Sequence, residues 1–300
     1  VDTAWTDLAR PPLRATPLRR ALLGEAGWAA LDVVATTGST NADLLARADA
    51  VDGTVLVADH QSGGRGRLGR RWEAPARSSL AVSVLLRPAV PRERWSWLPL
   101  LTGLAVADAL DGLGVDVALK WPNDVLVRLV DAPAASPDGK VAGILVEARE
   151  DVVVLGAGVN VSQRAGELPP AAASADGPGP SAPPTSLALA GATSTDRDTV
   201  LRRYLRALRE RLDAFAAAFA AAGGDPEAAG TAAAYRAVCS TLGAQVRAHL
   251  PDGRVLEGLA EDVDASGRLV LRPDGSGSSA GGGGPRTSLS AADVVHLRRA

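Results

Sequence analysis

The sequence predicts an α+β protein in two parts, a large domain mixing helices with strands and a small all-β domain after it. Three observations carry this reading. Val141–Ala148 and Val152–Val159 are two apolar runs separated only by Arg149, Glu150 and Asp151, the pattern of a buried antiparallel hairpin near the centre of a sheet. Leu201, Tyr204, Leu205, Leu208, Leu212, Phe215 and Phe219 recur at three- and four-residue steps, the signature of a long amphipathic helix. From Leu242 onward the pattern changes to short strands between polar turns, which reads as a small β-barrel. A chain of 300 residues, 46% of them hydrophobic, can bury cores of this size.

Taken in order, residues 1–32 read as a mixed leader, too short for the three-helix winged module that a DNA-binding regulator carries. The large domain is placed at 33–235 and the small one at 236–300. Thr40-Asn-Ala-Asp43 has capping-box spacing, and Leu44, Leu45 and Ala48 supply an apolar face, so a helix opens near Ser39. Val55–Ala58 and Leu80–Leu86 are β-branched and apolar enough for strands, the second closed by Arg87-Pro88. Leu98–Leu113 has helical spacing and runs out at Gly112 and Gly114. The Pro/Gly/Ala-rich stretches Asp131–Gly139 and Pro169–Pro184 read as surface insertions that carry no core. In the small domain the strands fall at Gln245–Leu250, Val255–Ala260, Leu269–Leu271 and Val294–Leu297, with a Gly/Ser tract at Gly275–Gly284 before the last.

Charge and composition narrow the function classes. A formal net charge of -2 gives no global field to gather nucleic acid or anionic membrane. A single cysteine, Cys239, excludes an internal disulfide, and no Cys/His spacing suggests structural zinc, so a reducing cytosol is the expected compartment. No secretory h-region and no apolar run long enough for a membrane span is present. Nearly all basic residues are arginine. The only lysines are Lys120 and Lys140, and the only asparagines are Asn41, Asn123 and Asn160. A surface lysine is readily replaced by arginine, whereas a compact ammonium or short amide inside a site often is not, so these survivors mark positions that chemistry requires.

The most specific segment is Gly63-Gly-Arg-Gly-Arg-Leu-Gly-Arg-Arg-Trp72, where glycines alternate with guanidinium groups directly after a strand and His60-Gln61-Ser62. Gly64, Gly66 and Gly69 match the dinucleotide fingerprint literally. That fingerprint needs an amphipathic helix next, and Glu73-Ala-Pro75-Ala-Arg leads into a strand instead. A phosphate or carboxylate loop of another kind fits, in which glycines let backbone amides approach an anion and Arg65, Arg67 and Arg70 pair with it. Such a loop is expected to order as its anion arrives. The plainer alternative is a solvated basic turn.

In order along the chain stand Thr37-Gly-Ser-Thr-Asn41, Gly64-Arg-Gly-Arg-Leu-Gly-Arg70, Lys120-Trp-Pro-Asn-Asp124, Lys140-Val-Ala-Gly-Ile-Leu-Val-Glu147, Gly156-Ala-Gly-Val-Asn160 and Thr185-Ser-Leu187. This series resembles the ordered motifs of biotin–protein ligases, strongly over residues 33–222 and more loosely in the terminal barrel. The resemblance implies a mixed β-sheet catalytic domain related to class II aminoacyl-tRNA synthetases, followed by an SH3-like domain. It also implies ATP and biotin as substrates, Mg²⁺ with the nucleotide, a biotin carboxyl carrier protein or domain as partner, and the form without a DNA-binding module.

Carried over motif by motif, the resemblance puts Ser39, Thr40, Asn41 and Gln61 at the biotin ring, where short donors and acceptors suit a ureido group. Arg65, Gly66, Arg67, Lys140 and Gly143 complete the biotin site, with Lys140 holding the biotin carboxylate and developing phosphate charge. Ser39 and Thr40 also suit a helix cap. Arg67, Arg70, Trp72, Asn123 and Asn160 fall on the nucleotide side, Trp72 as a stacking face or as core packing. Asp124 is the candidate to orient or deprotonate the acceptor amine, or to hold a metal. Lys140, Arg67 and Asp124 are thus the catalytic candidates, and Lys120 and Trp121 could be scaffold for their turn. Three rivals remain. A lipoate or octanoate ligase shares the acyl-adenylate chemistry but would carry Arg-Arg-x-Ser-Gly-Gly-Gly, which is missing. A nucleic-acid module would use Arg65–Arg71 as a phosphate patch, against the net acidity. A nucleotide-dependent oxidoreductase would need the Rossmann helix.

Overall fold

The computed structural model describes residues 10–24, 27–47, 49–129, 138–170, 182–222, 227, 230–274, 285–290 and 292–297. A seven-stranded sheet organises the large domain, built from β1 (Ala30–Val34), β2 (Thr54–Ala58), β3 (Ser79–Leu86), β4 (Val117–Lys120), β5 (Asp124–Arg128), β6 (Asp138–Arg149) and β7 (Val152–Asn160) in the spatial order β1-β2-β3-β7-β6-β5-β4. Only β1 and β2 run parallel; every other neighbouring pair is antiparallel, so the sheet is mixed. The expected hairpin is β6–β7, with Ala142 opposite Val159 and Arg149 opposite Val152, and it lies in the interior of the sheet as its apolar runs require.

The period of two decides what covers each face. Val55, Val57, Val82, Val84, Val153 and Leu155 point into the main core, while Leu56, Leu85 and Val154 point the other way and pack with Leu44. Leu44 belongs to a helix, α2 (Thr40–Ala46), whose N-cap Ser39 accepts from the Ala42 amide. The main core is closed by α3 (Leu98–Leu110) and α4 (Arg197–Ala222), which pack on each other. Leu98, Leu100, Leu101, Leu104, Ala105 and Val106 are all buried, so α3 is apolar around its circumference rather than on one stripe. It ends three residues before Leu113, with Gly112 and Gly114 both at positive φ.

Within the stretch 1–32, the described residues are more than a leader. Residues Ala15–Leu22 form α1, and Leu13, Leu18, Leu22, Trp28 and Leu31 are buried in the main core. Its short apolar positions are spaced too irregularly to announce a helix in the sequence. A buried ion pair fastens this segment: Arg197, at the start of α4, lies 2.8 Å from Asp59, and its guanidinium also donates to the carbonyls of Ser79 and Pro11. The boundary read at 235/236 falls inside a further helix, α5 (Thr231–Val238).

The small domain holds β8 (Gln245–His249), β9 (Val255–Val263), β10 (Leu269–Pro273), β11 (Thr287–Leu289) and β12 (Asp293–His296), an antiparallel sheet ordered β11-β10-β9-β8-β12. Strand β11 was not anticipated, because three residues are too few for a periodic signal. Residues 131–137 and 171–181 of the expected insertions, and the tract 275–284, lie outside the described residues. Asp138 and Gly139 open β6, and Lys140 is bridged to Pro184.

Indole groups dock the small domain on the large one. Trp97 Nε1 donates to the Ala265 carbonyl at 3.0 Å and Trp121 Nε1 to that of Gly267 at 3.2 Å. The Trp121 amide donates to Thr241 Oγ1, which also meets His296 Nε2 at 3.1 Å. Burial, with Lys120 beside it, pushes His296 down to about 4, so this imidazole is neutral near pH 7 and can accept from Thr241. The docking brings β12 alongside the ends of β4, β5 and β6, where the polar motifs converge.

Candidate active site

A pocket of about 380 Å³ opens on the sheet beneath the Gly-Arg segment. Its walls include Ser39, Thr40, Asn41, Gln61, Arg65, Gly66, Arg67, Arg70, Trp72, Asn123, Asp124, Lys140 and Gly143, so motifs spread over a hundred residues meet in one cavity. Lys120 and Ser83 line it as well, and from the small domain so does Asp293.

One end is neutral and hydrogen-bonded. Gln61 Oε1 accepts from the Thr40 amide at 2.8 Å and from its hydroxyl at 3.0 Å, which fixes the side-chain amide and turns its Nε2 donors away from that pair. Asn41 is tied at both ends. Its Nδ2 donates to the Leu145 carbonyl and to Glu147, and its Oδ1 accepts from Ser83 at 2.6 Å. With both donors committed, Asn41 holds α2 to β3 and β6 more than it faces a ligand. Gly156 is required there, since a Cβ would collide with the Asn41 amide. Ser83, fully buried in β3, was missed in the sequence; a hydroxyl in the middle of the otherwise apolar Leu80–Leu86 run was the signal.

The other end is charged. Lys140 Nζ stands 2.6 Å from Asp124 Oδ1, and Asp124 faces Lys120 across the β4–β5 register. Lys120 is buried; desolvation pulls its ammonium down, opposed by Asp124 and Asp293. Burial likewise lowers Arg67, again opposed by Asp124 and Asp293. Lys120 therefore belongs to the pocket and not to the scaffold of its turn alone.

The Gly-Arg segment is a hairpin-like loop. Trp72 N donates to Gly64 O at 2.9 Å and Gly66 N to Arg70 O at 2.7 Å, while Leu68 and Gly69 turn at positive φ. Where an anion was expected to order this loop, each guanidinium has a protein partner. Arg65 lies 3.5 Å from Glu147, Arg67 donates to Asn123 Oδ1 at 3.2 Å, and Arg70 pairs with Asp293. Asn123 in turn donates to the Ile144 carbonyl, so it braces Arg67 against β6.

Trp72 lies on a cross-strand glycine pair, Gly143 opposite Gly158. A Cβ at Gly143 would come within 3.0 Å of the indole and one at Gly158 within 2.5 Å. Gly143 thus makes room for the tryptophan, whose side chain lines the pocket. Lys140 Nζ sits 5.8 Å from the ring centroid, within cation–π range, and the buried Trp72 Nε1 has no hydrogen-bond partner among the described residues. Asn160 does not line this pocket. It is buried, donating to the Thr185 carbonyl and accepting from Gln163 at 2.7 Å, so it joins β7 to the segment after the second insertion.

Residues 31–162 match the Biotin/lipoate A/B protein ligase family, which by itself leaves the acid open. Residues 241–297 match the Biotin protein ligase C terminal domain. A biotin–[acetyl-CoA-carboxylase] ligase of Mycobacterium tuberculosis is 43% identical over 97% of this chain and 98% of its own. The chain belongs to the biotin protein ligase family. It is a ligase whose activity is biotin ligation. Another biotin–[acetyl-CoA-carboxylase] ligase, from Paracoccus denitrificans, is 34% identical over 80% of this chain and 93% of its own. Among solved structures, the biotin protein ligase of Aquifex aeolicus in complex with biotin and ATP superposes with a TM-score of 0.67 at 26% identity, covering 91% of this chain and all of that one. The α+β class, the mixed sheet and the SH3-like terminal domain expected from the motifs are those of this biotin ligase fold.

Proposed function

We propose that the chain forms biotinyl-5'-AMP in this pocket and transfers the biotinyl group to a lysine of a biotin carboxyl carrier protein or domain. The observation that carries the residue-level reading is the polarity of this cavity: a neutral, hydrogen-bonded end at Thr40 and Gln61, and a cationic end at Arg65, Arg67, Arg70, Lys120 and Lys140. Biotin has the same polarity, a ureido ring at one end and a carboxylate at the other. Ser39, Thr40 and Gln61 would meet the ring, with Asn41 and Ser83 holding them in place. Lys140, Arg65 and Arg67 would hold the carboxylate against the α-phosphate of ATP, offsetting the repulsion between two anions that otherwise opposes attack.

In the first step a carboxylate oxygen attacks the α-phosphorus, the bond to the β-phosphate oxygen breaks, and pyrophosphate leaves. No protein nucleophile is needed. In the second, the acceptor amine attacks the acyl carbon, the acyl–oxygen bond breaks, AMP leaves, and one amine proton is lost. Asp124 would take that proton; it lines the pocket and stands on Lys140, which supports this reading. Trp72, which lines the pocket, offers the nucleotide a face to stack on. Magnesium would enter with the nucleotide phosphates, with Asp124 a pocket carboxylate that could hold it. Among the described residues no helix is long and apolar enough to cross a membrane, and with Cys239 a free buried thiol, a cytosolic setting suits this reading.

Asp124→Asn tests the assignment of the second step. Single-turnover transfer from preformed biotinyl-adenylate to an isolated carrier domain should fall by about 10²–10⁴-fold, the usual worth of a general base. Adenylate formation should change far less. Transfer at the wild-type rate would remove Asp124 from the role.

A further inference from the structure

The sequence of the small domain gave no residue that points to the chemistry, yet β12 presents Asp293 to the pocket, where its carboxylate pairs with the Arg70 guanidinium. We propose that Asp293 is an internal anion that competes with a nucleotide phosphate for Arg70, so that the C-terminal domain sets the ATP affinity of a site it does not otherwise build. The inference rests on the reading that Arg70 meets the nucleotide.

The two partners of this pair stand on supports of different stiffness. Asp293 is paired in register with His249 of β8, and the barrel that carries both is docked through the indoles of Trp97 and Trp121 and through Thr241, all buried. Arg70 stands on the Gly-Arg loop, where Leu68 is largely exposed and Gly69 has nothing packed above its Cα. The carboxylate is fixed and the guanidinium is the member free to change partner. Their exposure points the same way. At 54% for Arg70 and 33% for Asp293 the pair stands in water, where an ion pair contributes little and exchanges readily, whereas a phosphate offers the same fork two oxygens and more charge. One guanidinium face cannot serve both anions. The charge of Asp293 also acts on Arg67 and Lys120, so it offsets the very cations that a polyphosphate would use.

Isothermal titration of the full chain with α,β-methylene-ATP, in wild type, Asp293→Asn, Arg70→Ala and the double variant, separates the possibilities. Asparagine keeps the shape and removes the charge, so Asp293→Asn should bind the analogue about two- to fivefold tighter, the range an exposed ion pair spans. Asp293→Ser, which also removes the charge, should do the same. Arg70→Ala should weaken binding, and in that background Asp293→Asn should give no gain. A purely structural role for Asp293 in seating the barrel would move affinity the other way and lower the melting temperature with it. Unchanged or weaker binding in Asp293→Asn and Asp293→Ser overturns the proposal. An equal gain without Arg70 overturns it too, since the effect would then be general repulsion. If Arg70→Ala alone leaves affinity untouched, the nucleotide role of Arg70 falls first and the competition with it.

Discussion

Replacing Lys140 with alanine is expected to lower biotin-dependent exchange of pyrophosphate into ATP by about 10²–10³-fold, the cost of removing one fixed charge donor from a site where charge develops. The expectation follows from where the ammonium stands. Lys140 is held in register between β5 and the Pro183–Thr185 segment, its amide donating to Pro183 O at 2.8 Å and its carbonyl accepting from Thr185 N at 2.9 Å. Its Nζ is aimed by Asp124 on one side and by the Trp72 ring on the other. The charge is therefore in position before substrate arrives and needs no reorganisation to act on the carboxylate. Lys140→Arg should restore only part of the loss, because a planar fork does not fit the step between Gly143 and the indole that an extended lysine occupies. Circular dichroism should show both variants folded, as the Lys140 side chain is still 27% exposed. Exchange at close to the wild-type rate in Lys140→Ala would contradict the assignment.

The largest effect on stability is expected far from the pocket. Arg197→Ala should cost about 3–5 kcal/mol, a large share of the stability of an ordinary domain, read as a fall in the urea midpoint at unchanged slope. Arg197 and Asp59 have side-chain exposures of only 5% and 8%. Removing the guanidinium strands a buried carboxylate that keeps, among the described residues, the Leu13 amide at 3.3 Å and Arg77 at 4.0 Å, and it takes a donor from the carbonyls of Ser79 and Pro11. The segment carrying α1 would lose the Arg197 tie that joins Pro11 to Asp59 and Ser79. Replacing both partners, Arg197→Met with Asp59→Leu, should cost less than the single change, since no uncompensated charge remains buried. A single-variant loss below 1 kcal/mol would show that water reaches Asp59.

Both sites bear on what the sequence made legible. The β6–β7 hairpin, α2 with its Ser39 cap, and α4 were readable because each has a strong local period or cap. The helix α1, strand β1 and strand β11 were not, because short elements owe their form to what they pack against, and a five-residue run such as Ala30–Val34 shows little pattern of its own. The pocket was largely legible through residue scarcity, since both lysines and two of the three asparagines line it. Asn160 shows the limit of that argument: a scarce amide also serves to tie Thr185 to Gln163, outside the pocket lining. Asp293 shows another. It reaches Arg70 across 223 residues of chain, and no local pattern foretells a contact made by docking one domain on another.

The account stands or falls on which acid this pocket activates. Exchange of labelled pyrophosphate into ATP by the full chain, measured with biotin, with lipoate and with no acid, tests this most directly. The account predicts exchange with biotin and none above background with lipoate, because Gln61, its Oε1 held by Thr40, presents Nε2 donors that a ureido ring can satisfy and an alkyl chain leaves unpaired. Exchange with lipoate equal to that with biotin, or none with biotin, would contradict it.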